Sequence, residues 1–306
     1  MTTQKLRDDN NKTELVEIVS RRAVLEGTNE VADGLNFFKH VTPPVHPHHG
    51  VYSPSICIIA QGAKEVQMGE HLFRYDPSQF LLTSFDVPVS TRIVEASPDK
   101  PFLGLKMDLE PTLIASVSVE AGVSPGKNDC VKSIDVGRLE GELLDAFVRL
   151  FRLLDCPSDY RVVSPLVIRE IIYRLLMSEH GPRLRQMAAY NGHTNRIGKA
   201  VQTLRTRFNE ALSIEDLARD LGMSVSSFHQ HFKTATSMSP LQFQKLLRLQ
   251  EARRLLLSED VDASSAALRV GYDDASQFTR EYKRLFGDPP MRDVARFKQL
   301  SAAGKS

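Results

Sequence analysis

The chain reads Ala267-Leu268-Arg269-Val270-Gly271-Tyr272-Asp273 near its C-terminal end and continues through Phe278, Tyr282-Lys283 and Pro290. An earlier stretch, from Ala218 to Ser224 and on through Phe228, Phe232-Lys233 and Pro240, repeats this pattern. In each copy the small alanine lets two helices cross closely, and the glycine permits the left-handed backbone of a tight turn. The repeat therefore predicts two helix-turn-helix units, at about 213–235 and 262–285.

The second helix of each unit has a cap at its start and two aromatic anchors along its length. Ser224 in the first copy, and Asp273 or Asp274 in the second, can accept hydrogen bonds from the exposed N–H groups of that helix. The aromatic pairs lie four residues apart and so share the face that packs against the protein. The opposite face is left free to enter the major groove of DNA.

The longer segment around the second copy carries a resemblance to a known family. It reads Gly271-Tyr272-Asp273-Asp274-Ala275-Ser276-Gln277-Phe278-Thr279-Arg280-Glu281-Tyr282-Lys283-Arg284-Leu285-Phe286-Gly287-Asp288-Pro289-Pro290 and closely resembles the signature of the AraC/XylS family of bacterial transcription regulators. The resemblance spans about residues 195–300. It implies a DNA-binding domain of seven helices, in which one long helix joins two helix-turn-helix units.

A second resemblance lies upstream. Pro54-Ser55-Ile56-Cys57-Ile58-Ile59-Ala60-Gln61-Gly62-Ala63-Lys64, together with Tyr75-Asp76, is similar to the N-terminal effector domain of one branch of the same family. This similarity implies a cupin-like fold. The expected fold class is therefore α+β with two domains: a cupin-like β-sandwich or barrel with flanking helices, then an all-α domain.

Length, charge and cysteine content agree with this division. A chain of 306 residues is long enough for two domains. Residues 195–306 contain 18 Lys and Arg against 13 Asp and Glu, whereas residues 1–194 contain 21 against 25, so the C-terminal third is the basic part. The polar N-terminus, the lack of a long apolar run and three scattered cysteines, Cys57, Cys130 and Cys156, predict a cytoplasmic protein without a membrane segment.

Hydrophobic periodicity divides the N-terminal two thirds. Residues 13–30 predict an amphipathic helix within an N-terminal helical segment, 1–30. A sensor or dimerisation domain, 31–180, follows, and a linker is expected at 181–194, where a short helix precedes Asn191-Gly192. Within the sensor domain, alternating apolar residues and turn signals predict about seven short strands, six of them with definite bounds, before two apolar helices. The strands are Ser55–Ala60, Ala63–Met68, His71–Tyr75, Phe80–Ser84, Val87–Glu95 and Phe102–Asp108, and the helices are Leu139–Leu154 and Pro165–Glu179.

The C-terminal domain, 195–300, is predicted to be entirely helical. A first helix covers Asn195–Glu210, and Ser213 begins the next with a capping-box-like sequence. Ser239-Pro240 begins a long leucine-rich connector that ends near Ser258-Glu259-Asp260. Arg248, Arg253 and Arg254 are expected on the flanks of that connector.

The residues expected to read DNA are those of the second helices that do not lie on the buried aromatic face. Gln230 can pair with adenine and Arg280 with guanine, while Val225 or Ala275 can pack on a thymine methyl group. Lys233, Lys283 and Arg284 come late in their helices and are expected at phosphates. By the resemblance, the base contacts come from the matching positions, which are Val225, Ser226, His229, Gln230, Ala275, Ser276, Thr279 and Arg280.

Other interpretations of these helices remain open. Each exposed residue could simply belong to a solvated helix face. Arg280 could instead form a surface ion pair with Glu281 or Asp273. Gln230 stands where a long basic residue is frequent in the family, so the first helix-turn-helix departs from the family pattern at this position.

The sequence carries no clear metal or catalytic site. His46, His48 and His49 lie close together, but no glutamate follows at the spacing of a metal-binding cupin, so a surface loop is favoured over a ligand cluster. Cys57 lies in an apolar strand and is expected to be a buried small hydrophobe. Cys156 precedes Pro157 and is a candidate sensing thiol. No phosphate-binding loop, nucleophile elbow or catalytic carboxylate pair is present, and we expect neither an enzyme nor a cofactor.

These observations predict a transcription regulator that binds promoter DNA. The resemblance implies activation through RNA polymerase and response to a small-molecule effector. The apolar faces at 143–151 and 166–176 could form a homodimer surface or belong to the core. The alternative is a cupin-type metalloenzyme fused to a helical module, and a third interpretation is a DNA-binding architectural protein without an effector.

Overall fold

The chain divides into two structural units near Gly198. The computed structural model describes residues 3–123, 132–188, 196–259 and 261–303. The first unit extends to Gly198 and includes Thr234–Ser237, and the second comprises the rest. Asn191-Gly192, at the predicted linker, and Cys130 lie outside the described residues.

The first helix, α1, begins earlier and ends earlier than the sequence predicts. It covers Thr3–Arg22 and buries Leu15, Ile18 and Val19 on one face. The prediction of a helical segment over 1–30 is wrong at its end, because Gly27 adopts a left-handed φ of 94° and begins a strand. The periodic pattern does not extend past Ala23, since Val24 and Leu25 are exposed.

Two antiparallel sheets form the centre of the first unit, as predicted for its fold class. The six-stranded sheet has the order β1-β2-β9-β4-β7-β10, and the four-stranded sheet has the order β3-β8-β5-β6. The six strands with predicted bounds are all present, with bounds that differ by at most one residue, and the described residues contain ten strands where about seven were expected. The strands are Gly27–Ala32 (β1), Leu35–His40 (β2), His48–Tyr52 (β3), Ser55–Gln61 (β4), Ala63–Met68 (β5), His71–Tyr75 (β6), Gln79–Thr83 (β7), Val87–Glu95 (β8), Phe102–Asp108 (β9) and Ile134–Arg138 (β10).

Helices cover one face of the six-stranded sheet. They are Pro111–Glu120 (α2), Gly141–Arg152 (α3), Pro157–Leu176 (α4) and Gly181–Ala188 (α5), with a 3-10 turn at Leu153–Asp155. Their apolar faces and that of α1 share one core with inward residues of the sheet. Phe37 of β2 packs edge-on against Phe151 of α3, with ring centroids 5.5 Å apart. Alternating side chains of strands such as β4 are buried on both faces, as expected when helices cover one face and a second sheet the other.

Two helical boundaries in this unit correct the sequence prediction. The predicted start at Pro165 is wrong, because α4 begins at Pro157 and contains Pro165 in its interior. Proline cannot donate the helical hydrogen bond, but burial of Val167, Ile171 and Leu175 on the opposite face offsets this cost. The short helix predicted after residue 180 is present as α5. It belongs to the core through Leu184 and Met187 rather than to a linker.

Among the described residues of the second unit, every regular element is a helix, as predicted. Its helices are Arg196–Thr206 (α6), Ile214–Asp220 (α7), Val225–Thr236 (α8), Pro240–Ser258 (α9), Ala263–Arg269 (α10), Ala275–Phe286 (α11) and Pro290–Ala303 (α12). The connector α9 begins with a full capping box, in which Ser239 accepts from the backbone of Gln242 and the Gln242 side chain accepts in return. Both predicted helix-turn-helix units are present, as α7–α8 and α10–α11.

Two arginines predicted on the flanks of the connector instead hold the second unit together. Arg253 is buried and donates to Asp293 of α12, while its guanidinium lies 4.5 Å and 4.6 Å from the ring centroids of Phe286 and Phe297. Arg248 donates to three backbone carbonyl groups, those of Phe208, Glu210 and Gly271. Arg254 alone matches the prediction, since it is exposed and pairs with Glu251 of the same helix.

Candidate nucleic-acid interface

The turns of the two helix-turn-helix units are built with the same hydrogen bonds. In the first, Gly222 has a φ of 63°, and the N–H of Met223 donates to the carbonyl of Ala218 at 2.9 Å. In the second, Gly271 has a φ of 85°, and the N–H of Tyr272 donates to the carbonyl of Ala267 at 2.9 Å. This equivalence confirms that the sequence repeat is a structural repeat.

The caps of the two second helices also match the sequence prediction. The Ser224 hydroxyl accepts from the N–H of Ser227 at 3.3 Å, at the start of α8. Asp274, rather than its neighbour Asp273, accepts from the N–H of Ser276 at 2.7 Å, at the start of α11. Each cap satisfies one N–H group that the first helical turn leaves without a partner.

The aromatic anchors are fully buried under both helices. Phe228 and Phe232 of α8 lie 5.6 Å apart between ring centroids, and Phe232 meets Phe243 of α9 edge-on at 5.4 Å. Phe278 and Tyr282 of α11 lie 5.5 Å apart. The Tyr282 hydroxyl also donates to the Asp293 carboxylate at 2.9 Å. Each exposed face is therefore held rigidly by the core beneath it.

The residues predicted to read DNA lie on the faces opposite these anchors. On α8, His229 is half-buried beside the Phe228 ring, and on α11 the half-buried Thr279 donates its hydroxyl to the carbonyl of Ala275. The remaining predicted positions are exposed: Val225, Ser226, Gln230, Lys233, Ala275, Ser276, Arg280, Lys283 and Arg284. The two helices thus present two polar surfaces, each on one side of a recognition helix.

Four cations of these surfaces have no ion-pair partner within the described part of the chain, namely Lys233, Arg280, Lys283 and Arg284. Among the described residues, Arg280 forms neither of the surface ion pairs considered for it, with Glu281 or with Asp273. Glu281 is instead bound by Lys245 at 2.9 Å and by the Tyr272 hydroxyl at 2.7 Å. In contrast, two other exposed arginines of the second unit are paired, Arg269 with Glu259 and Arg254 with Glu251. Charge that is left uncompensated at these helices is available to an anionic partner.

The remaining candidate groups of the sequence lie in the first unit. His48 and His49 belong to β3, and His46 is exposed before it. Residues 3–123, 132–188, 196–259 and 261–303 contain no group of three or more His, Cys, Asp or Glu side chains placed to hold a metal ion. Cys57 is buried, and burial raises the pKa of its thiol. Cys156 is exposed, with its sulfur 3.1 Å from the Ser158 hydroxyl.

The helices of the described residues include none that combines the length and apolarity of a membrane span.

Comparison with known sequences identifies both units. Residues 32–183 match the model described as the AraC-type transcriptional regulator N-terminus, and residues 217–296 match that of a helix-turn-helix domain. The chain therefore belongs to the AraC family of transcriptional regulators. Neither match is to an enzyme family, so the alternative of a cupin-type metalloenzyme gains no support.

Several curated relatives carry the same name. The HTH-type transcriptional activator RhaS of Escherichia fergusonii is 28% identical over 167 residues, which cover 54% of this chain and 58% of the relative. RhaS of Salmonella schwarzengrund is 28% identical over 160 residues, covering 51% and 56%. The chain thus matches little more than half the length of these relatives.

Solved structures show the same fold. An apo form of a ToxT variant from Vibrio cholerae aligns with a TM-score of 0.53 at 9% identity, covering 88% of this chain and 98% of that one. Wild-type ToxT with a bound unsaturated fatty acid aligns with a TM-score of 0.51 at 9% identity, covering 84% and 94%. At this identity the likeness concerns the fold alone.

Proposed function

We propose that the chain is a sequence-specific DNA-binding transcription regulator, in which α8 and α11 enter successive major-groove segments on one face of a promoter. The observation that carries this proposal is the pair of exposed, rigidly anchored helix faces with four unpaired cations. Two recognition helices that bind the same face of B-form DNA would reach it about one turn, ~34 Å, apart.

The exposed side chains suggest a division between base contacts and phosphate contacts. Arg280 can donate two hydrogen bonds to guanine, and the amide of Gln230 can pair with adenine. The small apolar surfaces of Val225 and Ala275 suit thymine methyl groups. The hydroxyl and imidazole groups of Ser226, His229, Ser276 and Thr279 complete the proposed base-reading set.

Lys233, Lys283 and Arg284 are proposed as phosphate contacts. Each lies in the last part of its helix, away from the N-terminal turns that approach the bases most closely. Contacts of this kind position the protein on DNA without choosing a sequence.

The test is selection of bound duplexes from a random DNA library by the full-length protein. We expect enrichment of two short motifs about one helical turn apart, and binding that weakens as salt rises. Selection should be repeated with Arg280→Ala and with Arg254→Ala, an exposed arginine of the connector that is already paired with Glu251. The proposal is supported if Arg280→Ala loses one of the two motifs and Arg254→Ala keeps both. No enrichment with the unaltered protein contradicts it.

The first unit is proposed to sense a small-molecule effector, and the protein to activate transcription by contacting RNA polymerase. Support comes from the family and from the name of the RhaS relatives, which are activators. In this proposal the protein acts in the cytoplasm, is not an enzyme and needs no cofactor. Transcription from a selected promoter in a purified system, with RNA polymerase and with or without the protein, tests activation. Unchanged or reduced transcript would contradict it.

A homodimer is proposed to form through α4. The predicted dimer face on α3 belongs to the core, since Leu144, Phe147 and Leu150 are buried. On α4, however, one side keeps exposed apolar residues: Val162 at 66%, Leu166 at 64%, Tyr173 at 47% and Met177 at 59%.

The intervals between these four residues are the same in both directions along the helix. Two copies of α4 packed antiparallel about a twofold axis would therefore place Val162 against Met177 and Leu166 against Tyr173 of the partner. Sedimentation of the full-length protein should show a dimer, and Leu166→Arg should give a monomer. Val119→Arg, at an 80% exposed apolar residue of α2, is the control. A monomeric unaltered protein at tens of micromolar would remove this proposal.

A further inference from the structure

The Glu281 carboxylate of α11 is held by two groups from outside its own helix. The Lys245 ammonium, on the connector α9, lies 2.9 Å from one carboxylate oxygen. The Tyr272 hydroxyl, in the turn of the second helix-turn-helix unit, donates to the other oxygen at 2.7 Å. Glu281 is the only acidic residue of α11, so the negative charge of this recognition helix is compensated without using any of its own cations.

These contacts keep the carboxylate ionised. Burial raises the pKa of Glu281, but the hydrogen bonds from Lys245 and Tyr272 lower it more, and the pKa lies below the ordinary value. Tyr272 is itself fixed, because its ring packs edge-on against Phe278 with centroids 5.3 Å apart. A negative charge is therefore present at pH 7 at this point of the helix, and it attracts any cation within reach.

Arg284 lies three residues after this carboxylate on α11. Residues at this spacing are neighbours on a helix surface, and opposite charges there form ion pairs. In the same unit, Glu251 pairs with Arg254 in the same order and at the same spacing. Asp216 pairs with Arg219 in the same way. Among the residues that the structure describes, Arg284 by contrast has no ion-pair partner, because the acidic group it would meet is held by the connector instead.

An unpaired Arg284 matters under the proposed function. It is exposed in the last turn of α11, next to Lys283, where phosphate contacts are proposed. Each phosphate contact contributes about 0.9 to the slope of log K against log salt, so a recognition helix that lost one free cation to an internal ion pair would bind every DNA more weakly.

We propose that Lys245 determines the affinity for DNA without contacting DNA itself, by holding the Glu281 carboxylate, together with Tyr272, away from Arg284. Lys245 is then a positioning residue, since it acts through Glu281. The proposal rests on the proposed function, because it takes Arg284 as a phosphate contact. It adds a residue of the connector to the groups that control DNA binding.

The test is gel-shift titration of the selected DNA with full-length variants at several salt concentrations. Lys245→Met should weaken binding about fivefold at about 0.15 M salt and reduce the slope of log K against log salt by about one, because the carboxylate then pairs with Arg284. Adding Glu281→Gln to Lys245→Met should restore the affinity to within about twofold of the unaltered protein, since the competing charge is gone. A purely structural role, or a phosphate contact by Lys245 itself, predicts no such rescue.

Two further variants control for net charge and for the route through Arg284. Arg254→Met removes a paired cation from the same connector, with the same change in net charge, and should alter the affinity less than about twofold. In an Arg284→Ala background, Lys245→Met should cost less affinity than in the unaltered chain, because the two changes act on one phosphate contact. Circular dichroism shows that each variant is folded.

Four results would each overturn this proposal alone. They are that Lys245→Met binds as tightly as the unaltered protein, that Glu281→Gln does not restore its binding, that Arg254→Met loses as much affinity, or that the full loss persists in the Arg284→Ala background. Failure of the unaltered protein to select any DNA would instead overturn the proposed function, and this proposal with it.

Discussion

The Arg253 guanidinium of α9 and the Asp293 carboxylate of α12 form a buried ion pair with two hydrogen bonds, of 2.8 Å and 3.0 Å. The carboxylate also accepts from the Tyr282 hydroxyl and from Arg296. Asp293 is fully inaccessible to solvent. One acidic group therefore links the connector, the second recognition helix and the last helix.

Asp293→Ala should destabilise the second unit by about 3–5 kcal/mol, because it leaves the buried Arg253 without a counter-charge and Tyr282 without an acceptor. Urea denaturation of the full-length protein, followed by circular dichroism, measures this loss. Arg254→Ala is the matched control, since Arg254 forms only an exposed pair with Glu251 and should change the free energy of unfolding by less than about 1 kcal/mol. Equal effects of the two changes would show that the buried pair is not structurally important.

The two turn glycines should respond differently to the same substitution. A Cβ at Gly222 would meet no atom within 4 Å, so Gly222→Ala costs mainly the left-handed backbone, about 1–2 kcal/mol. A Cβ at Gly271 would lie 2.1 Å from the carbonyl oxygen of Asn209, so Gly271→Ala must also displace backbone. The free energy of unfolding should fall clearly further for Gly271→Ala. Similar losses in urea denaturation would contradict the close approach at Gly271.

Arg280→Ala should reduce binding to the selected DNA by about 1–3 kcal/mol and leave binding to random DNA nearly intact, as expected for a guanine contact. Gel-shift titrations on both duplexes measure the two effects. An equal loss on both would make Arg280 a phosphate contact. No loss on either would remove it from the interface.

Lys283→Ala should behave in the opposite way. As a phosphate contact it should weaken selected and random DNA alike and reduce the slope of log K against log salt by about one. Titrations at several salt concentrations check this, with Lys100→Met of the first unit as the control. A loss confined to the selected DNA would place Lys283 among the base contacts instead.

The sequence predicts those features that depend on local spacing. The aromatic pairs beginning at Phe228 and Phe278 are buried because residues four apart share a helix face, and the glycine turns follow from a backbone that only glycine adopts readily. The same spacing also predicts that the proposed base-reading residues, on the other faces of these helices, are exposed. Their contacts with DNA stay predictions.

The features that the sequence does not reveal depend on contacts between distant segments. An arginine in a helical pattern normally indicates an exposed flank, so nothing local shows that Arg253 would be buried against Asp293. The sequence also does not predict on which face of its strand Lys64 lies. This residue follows a turn and precedes a charged residue, and only the pairing of β5 with β8 shows which face of the sheet it occupies.

Arg248 donates to carbonyl groups on either side of the connector: those of Phe208 and Glu210, just before the first helix-turn-helix unit, and that of Gly271, in the turn of the second. One side chain therefore links both helix-turn-helix units to the connector α9. Under the proposed function, the bases preferred by this protein could change by exchange of exposed side chains alone, whereas the distance between the two sites on DNA would be fixed by the connector. We therefore expect relatives that keep these hydrogen bonds to differ in the base sequences they prefer, but not in the distance between the two DNA segments they recognise.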